Sequence, residues 1–337
     1  MNKKKILITG ASGFVGSFVV EKALELGYDT WAGIRSGSSR EYLQDERIQF
    51  IDLAYGDKDK LAKQLAEFKA ENEKFDYIVH VAGITKALRK ENFEKVNFEH
   101  VKNFADALIE SGTVPERFIF ISSLSAFGAG DEKHYTPISP DCGPNPNTAY
   151  GKSKLKAEQY LQNLPDFPYV ILRPTGIYGP RDKDYLILMK TVQSGFNLGA
   201  GFRKQILTFI YVEDLVDVIF SCIEKNVLRK SYFVADGDIY TDTEFNRIVQ
   251  NALGKKHVSR LAIPLWIVKP IAWISEKIAI LTGKSATLNT DKYRIMKQRN
   301  WNCDISGLKS DLGFRPKQGL REGVEKTVAW YKEKGWL

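Results

Sequence analysis

From residue 3 to about residue 174, apolar residues recur along this chain in two alternating periods. Short continuous runs, such as Ile6-Leu7-Ile8 within Lys3 to Thr9, predict strands buried on both faces. Similar runs predict strands at Asp29 to Ile34, Ile48 to Leu53, Tyr77 to Ala82, Phe118 to Ser122 and Tyr169 to Leu172. Between them, apolar positions recur with helical spacing at Phe14 to Leu26, closed by Gly27, at about Phe98 to Ser111, and at Ala149 to Leu164. Such alternation predicts an α/β fold, a doubly wound parallel sheet covered by helices on both faces.

Beyond Pro174 the alternation breaks up, with Pro and Gly clustered from Pro174 to Pro180. A helix is predicted over Tyr185 to Ser194, and Phe209-Ile210-Tyr211-Val212 followed by Asp214 to Ile223 reads as a return to the sheet. The chain therefore divides into a nucleotide-binding type of domain, 1–174 plus 208–235, and a smaller, discontinuous C-terminal substrate domain, 175–207 plus 236–337. Neither an internal repeat nor a low-complexity tract is visible.

Composition narrows the class. A chain of 337 residues, 43% hydrophobic and 27% charged, can bury a large core and reads as soluble and globular. The net charge of +8 suits an anionic partner such as a dinucleotide phosphate. Nucleic acid is not expected, because the cations are scattered among 41 acidic residues and no helix-turn-helix or zinc spacing occurs. Cys142, Cys222 and Cys303 are far apart, which predicts neither a disulfide framework nor a zinc site and fits a reducing cytoplasm. Lys3-Lys4-Lys5 begins a strand and precedes too short an apolar run for a secretory signal. The segment Leu261 to Leu281 is apolar and carries Trp266 and Trp273, but Pro264, Lys269, Pro270, Glu276 and Lys277 interrupt it, so it is not expected to span a bilayer. Three readings stay open for it: a peripheral membrane contact, a lid over the substrate, or a helix packed on the small domain.

Two motifs carry the chemistry. Thr9-Gly10-Ala11-Ser12-Gly13-Phe14-Val15-Gly16 lies between a predicted strand and a predicted helix. There, glycines permit a sharp turn and let a pyrophosphate approach the free N–H groups at the helix N-terminus. Within Tyr150-Gly151-Lys152-Ser153-Lys154, the residues Tyr150 and Lys154 share one helix face at i and i+4. A free phenol titrates near about 10, and a neighbouring ammonium favours the phenolate and lowers that value. Tyr150 can then exchange a proton near neutral pH. His80, followed by Val81-Ala82-Gly83, reads as structural, and His100, His134 and His257 show no mutual spacing for a metal.

The glycine spacing, Asp52-Leu53, His80-Val81-Ala82-Gly83, Ser122-Ser123, Tyr150 with Lys154, Arg173-Pro174 and the closing Leu312-Gly313-Phe314-Arg315-Pro316 together resemble the extended branch of the short-chain dehydrogenase/reductase superfamily, over nearly the whole chain. The resemblance implies a Rossmann-type fold, an enzyme, and a catalytic set of Ser123, Tyr150 and Lys154, with Ser123 holding the substrate oxygen that Tyr150 protonates and Lys154 also binding the nicotinamide ribose. Ser122 and Ser125 are alternatives to Ser123, and Asn97 is either a holder of a relay water or a helix cap. Phe127 stands where relatives commonly have Tyr. Cofactor contacts are implied at Gly10, Ser12, Gly13, Phe14, Val15, Gly16, Arg35, Asp52, Leu53, Val81, Ala82, Gly83, Tyr150, Lys154 and Pro174.

The turn after the second strand, Trp31-Ala32-Gly33-Ile34-Arg35-Ser36, lacks the acid that accepts from a ribose 2′-hydroxyl in NAD-binding chains. A guanidinium there can pair with a 2′-phosphate, so NADP(H) is favoured and NAD(H) stays open, Arg35 alternatively stacking on adenine. The absent acid, and Leu207 where sugar-nucleotide relatives carry an Arg, point to the reductase-like members, which include dihydroflavonol-reductase-like and 3β-hydroxysteroid-dehydrogenase-like proteins. The expected reaction is hydride transfer between NADP(H) and a carbonyl or secondary alcohol of a largely apolar small molecule. Thr85, Leu124, Ser125, Tyr178 and Phe202 are the candidate substrate contacts. A nucleotide-sugar epimerase with retained NAD is the alternative enzyme, and a dinucleotide-sensing regulatory protein the alternative outside catalysis. A homodimer through the Tyr150 helix and the one before it is also implied.

Overall fold

The computed structural model describes residues 3–283 and 288–337. Thirteen strands are named among them: β1 (Lys5–Thr9), β2 (Asp29–Gly33), β3 (Gln49–Ile51), β4 (Tyr77–His80), β5 (Arg117–Ile121), β6 (Tyr169–Pro174), β7 (Gly176–Tyr178), β8 (Phe196–Ala200), β9 (Ile206–Leu207), β10 (Phe209–Tyr211), β11 (Lys230–Val234), β12 (Tyr240–Thr241) and β13 (Ser259–Ile263). The helices are α1 (Phe14–Glu25), α2 (Lys58–Asn72), α3 (Glu91–Glu94), α4 (His100–Glu110), α5 (Ala149–Asn163), α6 (Asp184–Gln193), α7 (Val212–Glu224), α8 (Asp242–Ala252), α9 (Leu265–Thr282), α10 (Thr290–Lys297), α11 (Ser306–Leu312) and α12 (Leu320–Glu333).

Seven strands form one sheet in the order β11-β6-β5-β4-β1-β2-β3, every pair parallel. Strand alternation explains why its strands read as unbroken apolar runs. In β1, Ile6 and Ile8 enter the core beneath α1 and α7, whereas Leu7 enters the opposite core with Leu61 of α2, Phe104 of α4 and Leu161 of α5. The chain moves outward from β1 through β2 and β3, then crosses back to β4 on the other side of β1. That reversal opens a crevice beyond the carboxyl ends of β1 and β4, where the turns after Thr9 and His80 face one another.

Two sequence expectations are corrected. The expected strand from Ile48 to Leu53 shortens to Gln49–Ile51, because it is an edge strand paired only to β2 and Asp52 turns away to accept from the Ser36 N–H. Phe209 to Tyr211 does not rejoin the large sheet; it pairs with β7, and α7 leads the chain back to β11, the seventh strand. Pro174, which has no N–H, closes β6, and β7 departs from the sheet just beyond it.

The remaining short strands pair as β9 with β12 and β8 with β13. A third core, built on Tyr178, Phe209, Tyr211, Phe245, Val249, Val324 and Tyr331, holds α6, α8 and α12 together. No helix of the described residues is long and apolar enough to cross a membrane.

Candidate active site

Close packing, as much as flexibility, dictates the glycine turn. Gly10 has a φ of +66°, and a Cβ there would stand 2.8 Å from the Ala82 nitrogen, so only glycine lets the first turn abut the loop after β4. At Gly16 an added Cβ would meet the Gly10 carbonyl oxygen at 2.2 Å, which would push α1 off the turn. Thr9 ties the two loops together, its Oγ1 accepting from the Ala82 N–H at 3.1 Å and bonding His80 Nδ1 at 3.0 Å. At the start of α1, Gly13 supplies no side-chain cap and the first turn holds no acid. Phe14, Val15 and Gly16 thus begin the helix with backbone N–H groups that intrahelical bonding cannot satisfy, a site shaped for an anion. These residues fit a dinucleotide pyrophosphate.

Asp52, in the loop after β3, accepts from the Ser36 N–H at 2.9 Å, so a carboxylate does reach the turn after β2 although the turn has none of its own. Arg35 is exposed at the same turn, and Arg40 stacks on Phe50 at 4.0 Å. Leu53 is buried in the core, and Pro174 ends β6 on the same carboxyl edge of the sheet.

The residues expected to move a proton meet on that edge. Thr148 caps α5 by accepting from the Gly151 N–H at 3.0 Å, and Asp291 of α10 accepts from the Ala149 N–H at 2.8 Å. Gly151 lets α5 press against the turn after β5, because a Cβ there would lie 2.2 Å from the Ser125 carbonyl oxygen. That contact brings Tyr150 beside Ser123. Burial raises the phenol's pKa, the reverse of the lowering expected from the Lys154 ammonium, and a hydrogen bond with the Ser123 side chain opposes the rise. The Phe93 ring stands edge-on to the Tyr150 ring at 6.0 Å. One helical turn on, the buried Lys154 donates from Nζ to the Ile121 carbonyl at 2.8 Å, and desolvation brings its pKa down to about 8. Its ammonium is therefore retained at neutral pH and lost in mild alkali.

Asn97 lies in a single wide π turn, Lys95–Glu99, between α3 and α4. Its amide clamps the loop after β4: Oδ1 accepts from the Ile84 N–H at 2.9 Å, and Nδ2 donates to the Ile84 carbonyl at 3.0 Å and to Ser153 Oγ at 3.2 Å. Gly83 completes this cluster, since a Cβ there would stand 3.0 Å from Asn97 Oδ1 and 3.2 Å from Lys154 Nζ. His80 is enclosed by Phe104, Phe118 and Phe120, and burial pushes its pKa down to about 3, so the ring is neutral.

The support beneath α5 leaves little trace in the sequence. Glu158, one turn beyond Lys154, accepts from Arg173 Nε at 2.9 Å and Nη2 at 2.8 Å, and from the Ser122 hydroxyl, all buried. Ser122 is thus committed to Glu158, which separates it from Ser123. Phe127 packs in the core against Phe233 and the Arg173 guanidinium. Only the Arg173-Pro174 pair and the i, i+4 spacing of Lys154 and Glu158 hint at this network in the sequence.

The candidate substrate residues do not form one surface. Leu124 is buried in the main core, Ser125 is half-buried beside Gly151, and Thr85 is exposed near the Asn97 clamp. Tyr178 belongs to the third core, buried against Gly323 with its hydroxyl donating to the Gly319 carbonyl at 3.4 Å, so it faces no pocket. Phe202 is exposed, and its neighbour Gly201 lies beside Leu265 at the start of α9. Among the described residues, no group of three His, Cys, Asp or Glu side chains is placed to hold a metal ion.

A glycine turn shaped for a dinucleotide and a Ser/Tyr/Lys cluster on the same carboxyl edge of a parallel sheet define a class of nucleotide-dependent enzymes. The sequence pattern of the NAD dependent epimerase/dehydratase family matches residues 6–235, and the chain belongs to this family of the extended short-chain dehydrogenase/reductase superfamily and is an enzyme. It is 30% identical to a UDP-glucose 4-epimerase of Vibrio cholerae, over 96% of this chain and 94% of that protein. It is 27% identical to a ceramide reductase of Caulobacter vibrioides, over 98% and 96% of the two chains. The fold superposes with a TM-score of 0.78 on the Bordetella bronchiseptica enzyme WbmG, solved with NAD and UDP, at 20% identity and over 99% of this chain and 97% of that one.

Proposed function

We propose that the protein is an NADP(H)-dependent oxidoreductase that transfers hydride between the nicotinamide and a carbonyl or secondary alcohol of a largely apolar small molecule. The observation that carries this reading is the cluster of Ser123, Tyr150 and Lys154 on the same sheet edge as the uncapped start of α1. A bound nicotinamide dinucleotide supplies or accepts the hydride. Ser123 holds the substrate oxygen, Tyr150 gives it a proton or takes one, and the Lys154 ammonium stabilises the phenolate that results. Lys154 also binds the nicotinamide ribose, while Gly83 and Asn97 keep the neighbouring loop in place. At the far end, Arg35 is free to meet a 2′-phosphate, while the carboxylate that reaches its turn, Asp52, is engaged by a backbone N–H.

A second reading, epimerisation of a nucleotide sugar on retained NAD, is favoured by the Vibrio cholerae relative. One experiment separates the two. Nucleotide that copurifies is identified, and NADPH and NADH are titrated by fluorescence into the stripped protein. An NADPH preference of about tenfold, or 1.4 kcal/mol, supports the reductase and directs a carbonyl screen, whereas tightly retained NAD with turnover of a nucleotide sugar overturns it. The enzyme is a homodimer through α4 and α5 on this reading; a monomeric mass by light scattering refutes that pairing.

A further inference from the structure

Helix α9 is placed the wrong way round for a helix of a soluble protein. Its buried residues are Val268, Ala272 and Ala279, a narrow stripe of small side chains against the body. Its large apolar residues point outward, with Trp266 76% exposed, Leu281 86% exposed, and Ile271, Trp273, Ile274 and Ile278 exposed between them. Phe202 is exposed as well, next in sequence to Gly201, which lies beside the Leu265 side chain at the helix start.

Charge on α9 is sorted in the same unusual way. Its single acid, Glu276, turns inward to accept from the Thr290 N–H at 3.0 Å, 3.9 Å from Lys90. Its two cations, Lys269 and Lys277, are exposed, and Lys277 Nζ sits 5.8 Å from the Trp273 ring, amid the hydrocarbon. A protein partner covering this face would have to bury Lys277 in an apolar contact, which is costly unless an acid meets it. A lipid surface imposes no such cost, because an ammonium on a long stem reaches the phosphate layer while the residues around it enter the acyl boundary. Indole rings are suited to the same depth, apolar in body with one N–H donor. At 18 residues the helix is about 27 Å long and lies along a surface.

We propose that α9 docks the protein on an anionic lipid surface, with Trp266 and Trp273 as anchors and Lys269 and Lys277 meeting lipid phosphates. This rests on the exposed face alone and stands whichever reaction the site performs. Docking holds that site near the lipid, since the inner side of α9 borders Phe93, the residue packed on Tyr150.

The test is co-sedimentation of the full chain with vesicles of equal parts phosphatidylcholine and phosphatidylglycerol, and with phosphatidylcholine alone. Binding to the mixed vesicles that exceeds binding to the neutral ones by about tenfold, and that weakens with added salt, is expected. The Trp266→Ser/Trp273→Ser double variant loses that binding, and Lys269→Gln/Lys277→Gln, which leaves every apolar residue in place, loses the preference for anionic vesicles. Absence of binding by the unaltered chain, or binding that both variants keep, overturns the proposal. So does a fall in molar mass in the tryptophan variant with no vesicle binding by the parent, which would assign the face to a second copy of the chain.

Discussion

Helices α5 and α9 invert the ordinary distribution of side chains in opposite ways. Inward, α5 turns Ser153, Lys154 and Glu158, polar or charged and almost wholly buried. Outward, α9 turns two tryptophans and five larger aliphatic residues. Buried charge is tolerated on α5 because each group has a partner: Lys154 the Ile121 carbonyl, Glu158 the Arg173 guanidinium and the Ser122 hydroxyl, Ser153 the Asn97 amide and the Tyr150 carbonyl. Exposed hydrocarbon on α9 has no such compensation among the described residues. The difference teaches where to look for function: in each helix it lies where burial and polarity disagree, inside the molecule for α5 and outside it for α9.

The sharpest break of this comparison is chemical. Tyr150→Phe removes the proton while keeping the ring against Phe93, and turnover is expected to fall by about 10²- to 10⁴-fold with nucleotide affinity changed by no more than a few-fold. Steady-state kinetics beside a fluorescence titration read both quantities. Retained turnover would remove Tyr150 from the reaction.

Next in size is the buried pair that supports α5. Arg173→Leu leaves the Glu158 carboxylate in the core without its cation, and a loss of about 3–5 kcal/mol in unfolding free energy is expected from urea titration. A loss below about 1 kcal/mol would mean that water or a rearranged side chain satisfies Glu158, and that α5 is held by packing alone.

Residues that act through neighbours in sequence were legible, and residues that act across the fold were not. The turn from Gly10 to Gly16 and the pair Tyr150 and Lys154 are local patterns, with spacing set by one turn or one helix. The Ser122, Glu158 and Arg173 network joins β5, α5 and β6, and the cap of Asp291 on Ala149 links positions 142 residues apart, so no window of sequence contains them. Asn97 was visible as a residue but its role was not, because the π turn that aims its amide at Ile84 leaves no signature in hydrophobic spacing. Tyr178 misled for a related reason: an aromatic residue after a Pro/Gly-rich turn suits a pocket as well as a core, and Gly323, far along the chain, decides for the core.

A third experiment uses pH. His80 has its pKa lowered from 6.5 to about 3 by burial, so between those values the unfolded chain holds a proton that the folded one refuses. Stability from this residue is therefore present above the unfolded value and is lost as pH falls through that window, by about 2 kcal/mol between pH 7 and pH 5. In His80→Asn, which can still bond Thr9, that part of the slope should vanish from unfolding curves measured across the window. An unchanged slope would place a charged imidazole in the core.

The smallest expected effect bears on α9 and decides between an exposed face and a packed helix. Ile278 and Ile119 are the same residue type, yet Ile119 of β5 is fully buried and Ile278 is more than half exposed. Truncation in the core typically removes about 2–5 kcal/mol, because burial and packing are lost together. Ile278→Ser removes hydrocarbon that already faces water, so its unfolding free energy should stay within about 0.5 kcal/mol of the parent. A cost of core size would show that the outer side of α9 is covered in solution. The hydrocarbon on that side would then contribute to folding, and α9 would differ from α5 in composition alone.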